Sequence, residues 1–395
     1  MSAIATTHVG SLVRPTELRP FLLARHHRTP YDEAEFERVL AQCVDDAVRD
    51  QVAAGVDIVS DGEFGKTLTW ATYIRERLDG FEERPLGDGE PEPQRFGLDR
   101  RAFPEFFAEY DRVQFPEGQP ERGLEWVCTG PIRYRGQREL RRDIANLRAA
   151  AERHGARGAF LPVVAPGSVM PVRRDEFYGT EREFALAVAD ALRVEYTEIV
   201  NAGLYVQIDD AYLTMMHDSM VHAPNAGPET TREFREWAEL RISSLNRALE
   251  GVPPERVRYH VCWGSWNGPH TGDVPLREIL DLILQVNAGS YAIEQANPRH
   301  EHEWAVWEDV ALPEGKRLIP GVISHATNIV EHPDLVAERL LRNARLVGSD
   351  RIDAGTDCGF AQTPFSARVH PSIMWAKLRA LAEGARIASK TLGLA

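Results

Sequence analysis

The sequence predicts an α/β fold, a (β/α)8 barrel with an inserted arm after its second strand. Three observations carry this expectation. Eight strand-like runs alternate with helical runs along the chain. The chain of 395 residues is long enough for one large barrel. Residues with distinctive chemistry gather at the ends of the strand-like runs, where barrels of this type carry their chemistry.

The first strand is expected at residues 4–9 and ends in Gly10-Ser11-Leu12. The continuation Val13-Arg14 does not complete a G-x-G-x-x-G turn, which counts against a doubly wound open sheet. Residues 31–54 read as a helix, with Phe36, Val39, Leu40, Cys43, Val44, Ala47 and Val48 on one stripe. Cys43 on that stripe reads as a small buried hydrophobe. Residues 56–60 form the second strand, which runs into Asp61-Gly62-Glu63-Phe64-Gly65-Lys66.

Between residues 80 and 145 the pattern loosens. Charged and Pro/Gly-rich runs (82–85 and 87–91) surround a strand-like stretch at 126–132. A structureless loop of that length is improbable in a compact domain, so the segment reads as an arm inserted into a single domain spanning 1–395. Regular alternation then follows. Helices are expected at 138–154, 181–202, 230–249, 276–286, 333–347 and from about 370. Strands are expected at 159–164, 205–209, 257–262, 290–294, 317–323 and 351–356.

Composition excludes several classes. The net charge of -14 argues against a nucleic-acid or anionic-membrane binder. No uninterrupted apolar run reaches membrane-spanning length, and the first residues lack a signal-peptide pattern. Four cysteines in so long a chain do not make a disulfide framework, so the expected setting is cytoplasmic with reduced thiols.

The predicted strand ends carry Ser11, Glu63, Ser168, Asp209, His260 with Cys262, Glu294, His325, and Cys358. His260-Val261-Cys262 places an imidazole and a thiol on one strand face, because side chains repeat every two residues. Cys358 lies in Gly355-Thr356-Asp357-Cys358-Gly359, a poor setting for a core residue. One nitrogen and two sulfur ligands suit zinc, and Glu294 is the fourth candidate. Zinc with two thiolates is a poor source of hydroxide but holds a further thiol as thiolate, which favours thiol alkylation over hydrolysis.

The runs Thr6-Thr7-His8-Val9-Gly10-Ser11, Asp61-Gly62-Glu63-Phe64, Gln207-Ile208-Asp209, His260-Val261-Cys262, Ile293-Glu294, Gly321-Val322-Ile323-Ser324-His325 and Asp357-Cys358-Gly359 appear in that order. They resemble the catalytic barrel of cobalamin-independent methionine synthase. Its superfamily includes the single-barrel epoxyalkane:coenzyme M transferase. The resemblance implies His260, Cys262, Glu294 and Cys358 as zinc ligands. It implies Ser11, Glu63 and Asp209 as homocysteine-binding residues, and His325 as the residue assisting proton transfer to the leaving group. The implied partners are a small-molecule thiol and a methyl or alkyl donor. Epoxide opening by a sulfonate-bearing thiol is the alternative, with Lys66 or Arg299 as the cation it would want. A non-catalytic zinc protein is the alternative of another class.

The chain departs from that family after three motifs. Asp210-Ala211-Tyr212 follows Asp209, Trp263-Gly264-Ser265-Trp266 follows Cys262, and Asn297-Pro298-Arg299 with His300-Glu301-His302-Glu303 follows Glu294. The tryptophans fit either the wall of an apolar slot or loop packing. The 300–303 run is expected to be a solvated loop. Neither the donor nor the oligomeric state is readable from the sequence, and a homo-oligomer is compatible with it.

Overall fold

The computed structural model describes residues 3–67, 69–85, 97–114, 124–169, 173–223, 226–361, 363 and 368–394. The Gly/Pro-rich run at 87–91 lies outside them. Ten strands are present among the described residues: β1 (Ile58–Ser60), β2 (Leu78–Pro85), β3 (Leu124–Tyr134), β4 (Gly158–Val164), β5 (Arg173–Asp175), β6 (Tyr205–Asp209), β7 (Val257–Val261), β8 (Ser290–Ile293), β9 (Arg317–Ile323) and β10 (Gly355–Thr356). The helices are α1 (Arg19–His26), α2 (Glu33–Ala53), α3 (Gly97–Ala102), α4 (Pro104–Gln114), α5 (Gln137–His154), α6 (Pro166–Val169), α7 (Glu181–Asn201), α8 (Tyr212–Val221), α9 (Thr230–Ala248), α10 (Leu276–Ile283), α11 (Pro333–Val347) and α12 (Pro371–Thr391).

The fold is mixed α/β. Seven strands make one parallel sheet in the order β1-β4-β6-β7-β8-β9-β10. Its strands are buried along nearly their whole length, as both faces of a parallel sheet require. The expected first strand appears as two bridges, Thr7 to Ile58 and Thr6 to Ala354. Thr7 N–H donates to Ala354 O at 2.9 Å, and Ile58 N–H donates to Thr6 O at 3.0 Å. The same short segment therefore bonds to β1 at one edge of the sheet and to the residue just ahead of β10 at the other.

Residues 351–354, expected as strand, bridge β9 only through Ile352 and Leu318. A register shift between Gly355 and Thr356 interrupts the pairing there. Among the helices, α2 starts at Asp32, whose carboxylate accepts the Glu35 N–H. Its buried face carries Phe36, Leu40, Cys43, Val44, Ala47 and Val48, matching the expected stripe. Burial pushes the Cys43 thiol up to about 11, consistent with an inert core residue.

The 78–134 region contributes β2 and β3 to a second sheet, β2-β3-β5, completed by β5 from further along the chain. β2 pairs antiparallel with β3, and β3 pairs parallel with β5. β2 and β5 were not expected. Their charged sequences, Glu82-Glu83-Arg84-Pro85 and Arg173-Arg174-Asp175, look like loop until a partner strand satisfies their backbone. The helical pair α3-α4 packs against α8 and the loop that follows β7. Phe107 meets Trp266 with ring centroids 5.6 Å apart, and Thr271 N–H donates to Asp99 Oδ1 at 3.1 Å.

Candidate metal centre

β7 carries His260 near its end and Cys262 just past it, β8 is followed by Glu294, β9 by His325, and β10 by Cys358. All five are buried. The ligand atoms of His260, Cys262 and Cys358 lie within 4.8 Å of one another, and so do those of Glu294, His325 and Cys358. Cys358 is the shared corner of the two groups. The structure thus brings the expected ligands together and places His325 beside them.

The hydrogen bonding around these residues is selective. His260 Nδ1 lies 3.2 Å from Ala292 O, so it carries the proton and leaves Nε2 as the bare nitrogen. Nε2 is buried and has no hydrogen-bond partner. Glu294 Oε2 accepts from Asn297 Nδ2 at 3.0 Å, while Oε1 is buried and unpartnered. His325 Nδ1 is likewise buried and unpartnered. Buried polar atoms normally have partners, and each orphan costs about 1–3 kcal/mol. Three bare donor atoms beside two thiols fit a metal ion of zinc type, with His260 and Glu294 each fixed from behind through the other polar atom of the side chain.

The backing extends one residue further. Asn297 Nδ2 also reaches Asp357 Oδ2 at 3.1 Å, and Asp357 Oδ1 accepts the N–H groups of Gln295 and Ala296 at 2.8 Å each. Asp357 thereby ties the Cys358 loop to the Glu294 loop. Burial still pushes its carboxyl up to about 6.

The Cys262 thiol, donating to Cys358, holds Cys358 well below the usual thiol range, and His260 adds to this. The same bond, together with burial, pushes Cys262 well above it. Burial and the neighbouring Asp357 carboxylate raise Glu294. A divalent cation would reverse these penalties at once.

Ser11, Glu63 and Asp209 line the adjoining corner. Gly359 carries no side chain because Ser11 Oγ stands 1.9 Å from where its Cβ would be. Phe360 N–H donates to Ser11 O at 2.8 Å. Glu63 adopts φ 61°, an uncommon conformation for a residue with a side chain. It is held there by its N–H donating to Asp61 Oδ1 at 2.9 Å and by Arg14 Nη2 and Lys66 N–H donating to its carbonyl, each at 3.1 Å.

Lys66 Nζ sits 3.2 Å from Glu63 Oε2 as an ion pair without hydrogen-bond geometry. Gln207 Nε2 donates to Asp209 Oδ1 at 2.9 Å. Burial pushes the Asp209 carboxyl up to about 7, against the pull of His260. Val9, Ala211, Cys262 and Cys358 form a small apolar floor, with Trp70 and Met215 packed on it.

The 300–303 run differs from expectation. It leads into a 3-10 helix (Glu301–Glu308) rather than a loop, with His300 and Glu303 buried and His302 exposed. His300 Nδ1 bonds Glu303 Oε2 at 2.8 Å and its Nε2 bonds Asp273 Oδ2 at 3.0 Å. The carboxylate partners make burial affordable, and one of them, Asp273, is distant in sequence. Trp263 stacks on the His300 ring at 4.2 Å and donates Nε1–H to Val274 O at 2.7 Å, so it packs. Trp266 lies under Phe107 and Tyr110 of α4. Of the two cations expected near the metal residues, Lys66 is engaged by Glu63, and Arg299 donates to Thr271 O from an exposed position.

No family model matches the chain. The 2-hydroxypropyl-CoM lyase of Xanthobacter autotrophicus is 24% identical over 394 residues, covering 92% of this chain and 90% of that relative. The methionine synthase of Sulfolobus acidocaldarius is 23% identical over 367 residues, covering 92% and 88%. The solved structure of a B12-independent methionine synthase from Shewanella sp. W3-18-1, in complex with selenomethionine, superposes with a TM-score of 0.69 at 21% identity, covering 99% of both chains. The fold is shared with that structure. Relatives of both kinds named by the motif resemblance are found, and each spans nearly the whole chain.

Proposed function

We propose that this chain transfers a methyl or alkyl group to the sulfur of a small thiol, at a zinc ion held by His260, Cys262, Glu294 and Cys358. The observation that carries the reading is the set of bare, buried donor atoms at His260 and Glu294 beside the Cys262–Cys358 pair. Zinc held there would supply one thing: it keeps the substrate sulfur deprotonated and nucleophilic near neutral pH.

The protein's residues do the rest. Burial pushes the His325 imidazole down to about 4, so it is neutral at pH 7 and able to accept the thiol proton. It then returns that proton to the departing group as the sulfur–carbon bond forms and the donor's bond to that carbon breaks. Glu63 and Asp209 are the groups for an ammonium, and Ser11 positions the substrate backbone beside Cys358. This favours homocysteine as acceptor. The alternative acceptor is a sulfonate-bearing thiol that opens an epoxide. The Glu63–Lys66 ion pair supports it, because Glu63 is already partly neutralised.

We read residues 4–9 as the eighth strand, closing the parallel sheet into a (β/α)8 barrel. The bridges to both sheet edges support this. The 80–145 region is then an arm inserted into one domain. No described helix is long and apolar enough to cross a membrane. The proposed setting is the cytoplasm, with no nucleic-acid partner.

Zinc content by elemental analysis, followed by X-ray absorption with and without homocysteine, tests the function. One added zinc–sulfur bond on thiol addition is expected. A closed site that gains no sulfur would identify a non-catalytic zinc protein instead.

A further inference from the structure

Arg368 stands at the rim beyond Cys358 and belongs to none of the motifs. Its backbone is pinned: Asn328 Nδ2 donates to Arg368 O at 3.3 Å, and His370 N–H donates to Asn328 Oδ1 at 3.0 Å. The next residue, Val369, is fully buried. The guanidinium lies within electrostatic reach of Cys358, Glu294 and Cys262, and of Tyr110 on α4. Its charge is also felt by His325. Nη1 is buried and has no hydrogen-bond partner among the described residues.

A buried guanidinium donor left unpaired is costly. The other cations around the site are committed. Lys66 pairs with Glu63, and its ammonium lies 4.5 Å from the Tyr73 ring centroid. Arg14 donates to the carbonyls of Glu63 and Ala361. Arg299 is exposed and bonded to Thr271 O. The charges about the metal residues are therefore polarised. Asp209 and Glu63 act on one another and Asp209 on His260, whereas Arg368 acts on Cys358, Glu294 and Cys262. The planar guanidinium fork matches an oxyanion, which it can grip through two parallel N–H bonds.

We propose that Arg368 binds the oxyanion, a carboxylate or sulfonate, of the thiol whose sulfur reacts at this centre, and so selects anionic thiols over neutral ones. The proposal rests on the thiol-alkylation reading and adds the residue that sets its acceptor class. Arg368 positions the substrate; it takes no part in bond making.

The test is thiol binding without any alkyl donor, followed by calorimetry on the zinc-loaded full chain. The panel is 2-mercaptoethanesulfonate, 3-mercaptopropionate, homocysteine, 2-mercaptoethanol and cysteamine. In Arg368→Gln the three oxyanion-bearing thiols are expected to weaken by about 10- to 100-fold, the range for a hydrogen bond to a charged group. Binding of 2-mercaptoethanol is expected to stay unchanged, and Arg368→Lys to recover part of the loss. An equal loss for 2-mercaptoethanol, or no loss for the anionic thiols, overturns the proposal and leaves thiol alkylation standing. Loss of zinc from both variants also overturns it, because Arg368 would then act through the metal. If no thiol of any charge binds the wild-type protein, the alkylation reading falls and takes this proposal with it. Binding of 2-mercaptoethanesulfonate but not homocysteine, with the Arg368 dependence intact, removes only homocysteine as the acceptor.

Discussion

Two buried histidine clusters meet through Trp263, and they use the same residue types to opposite effect. At His300 both ring nitrogens are taken, by Glu303 and Asp273. Burial opposes the charge there, but these bonds outweigh it and push the imidazole up to about 9. At His260 and His325 one nitrogen each is bare, and burial pushes His325 down to about 4. The first cluster is closed on itself. The second has donor atoms that nothing in the described chain satisfies. Burial and residue type are alike in both, so it is the unsatisfied atom that marks a site.

The sharpest way to break this contrast is to remove the shared corner. Cys358→Ala is expected to lower zinc affinity by more than about 100-fold, beyond the range for outer-shell changes. Elemental analysis after dialysis should show the metal gone, and full retention would mean the bare atoms are not its ligands. His300→Ala should do the reverse. Removing one partner of a buried ion pair costs about 3–5 kcal/mol. Urea unfolding should show that loss while the folded fraction keeps its zinc.

The same cluster should give stability a pH dependence. The folded pKa of His300, about 9, exceeds the ordinary 6.5, so the folded state holds the extra proton between those values. Its contribution, about 3 kcal/mol from the shift, is complete below pH 6.5 and is lost as pH rises through 9. Comparing denaturation midpoints of wild type and His300→Gln across pH 6–9.5 checks this; parallel curves would refute it.

Asn297→Ala leaves every ligand in place but removes the donor that steadies Glu294 and Asp357. A 10- to 100-fold weaker zinc affinity is expected, measured by competition with a chelator. The smallest effect should come from Arg299→Ala. This exposed side chain is expected to change stability by less than about 0.5 kcal/mol and to leave thiol binding untouched, in contrast with Arg368.

Much of this arrangement was legible because it obeys local periods. His260 and Cys262 announced themselves through the two-residue repeat of a strand. Glu294 ended the next strand, and Cys358 sat between glycines that a core position would not need. The stripe from Phe36 to Val48 named the buried face of α2. The misses share a different cause. His300 is buried because Asp273 comes to it from another loop, and no window of sequence contains both. β2 exists because β3, about forty residues on, satisfies its backbone; alone, Glu82-Glu83-Arg84-Pro85 reads as loop. Arg368 lies outside any repeating pattern, and only the folded neighbourhood of Cys358 distinguishes it from a surface arginine. The strand expected at 4–9 contracts to two bridges, because the segment is short and turns at Gly10.

The bonding of Thr6 and Thr7 to both edges of the sheet has a consequence for the order of events at the ribosome. The edge partners are Ile58 and Ala354, and the donor set spans positions 260 to 358. A growing chain can lay down β1 to β9 in sequence, but its first residues must wait for some 350 others before their second partner exists. The last thiol, Cys358, emerges only four residues after that partner. Completion of the sheet's bonding and assembly of the donor set therefore fall at the same late moment, and a metal held there as proposed would enter after these strands are made instead of guiding them.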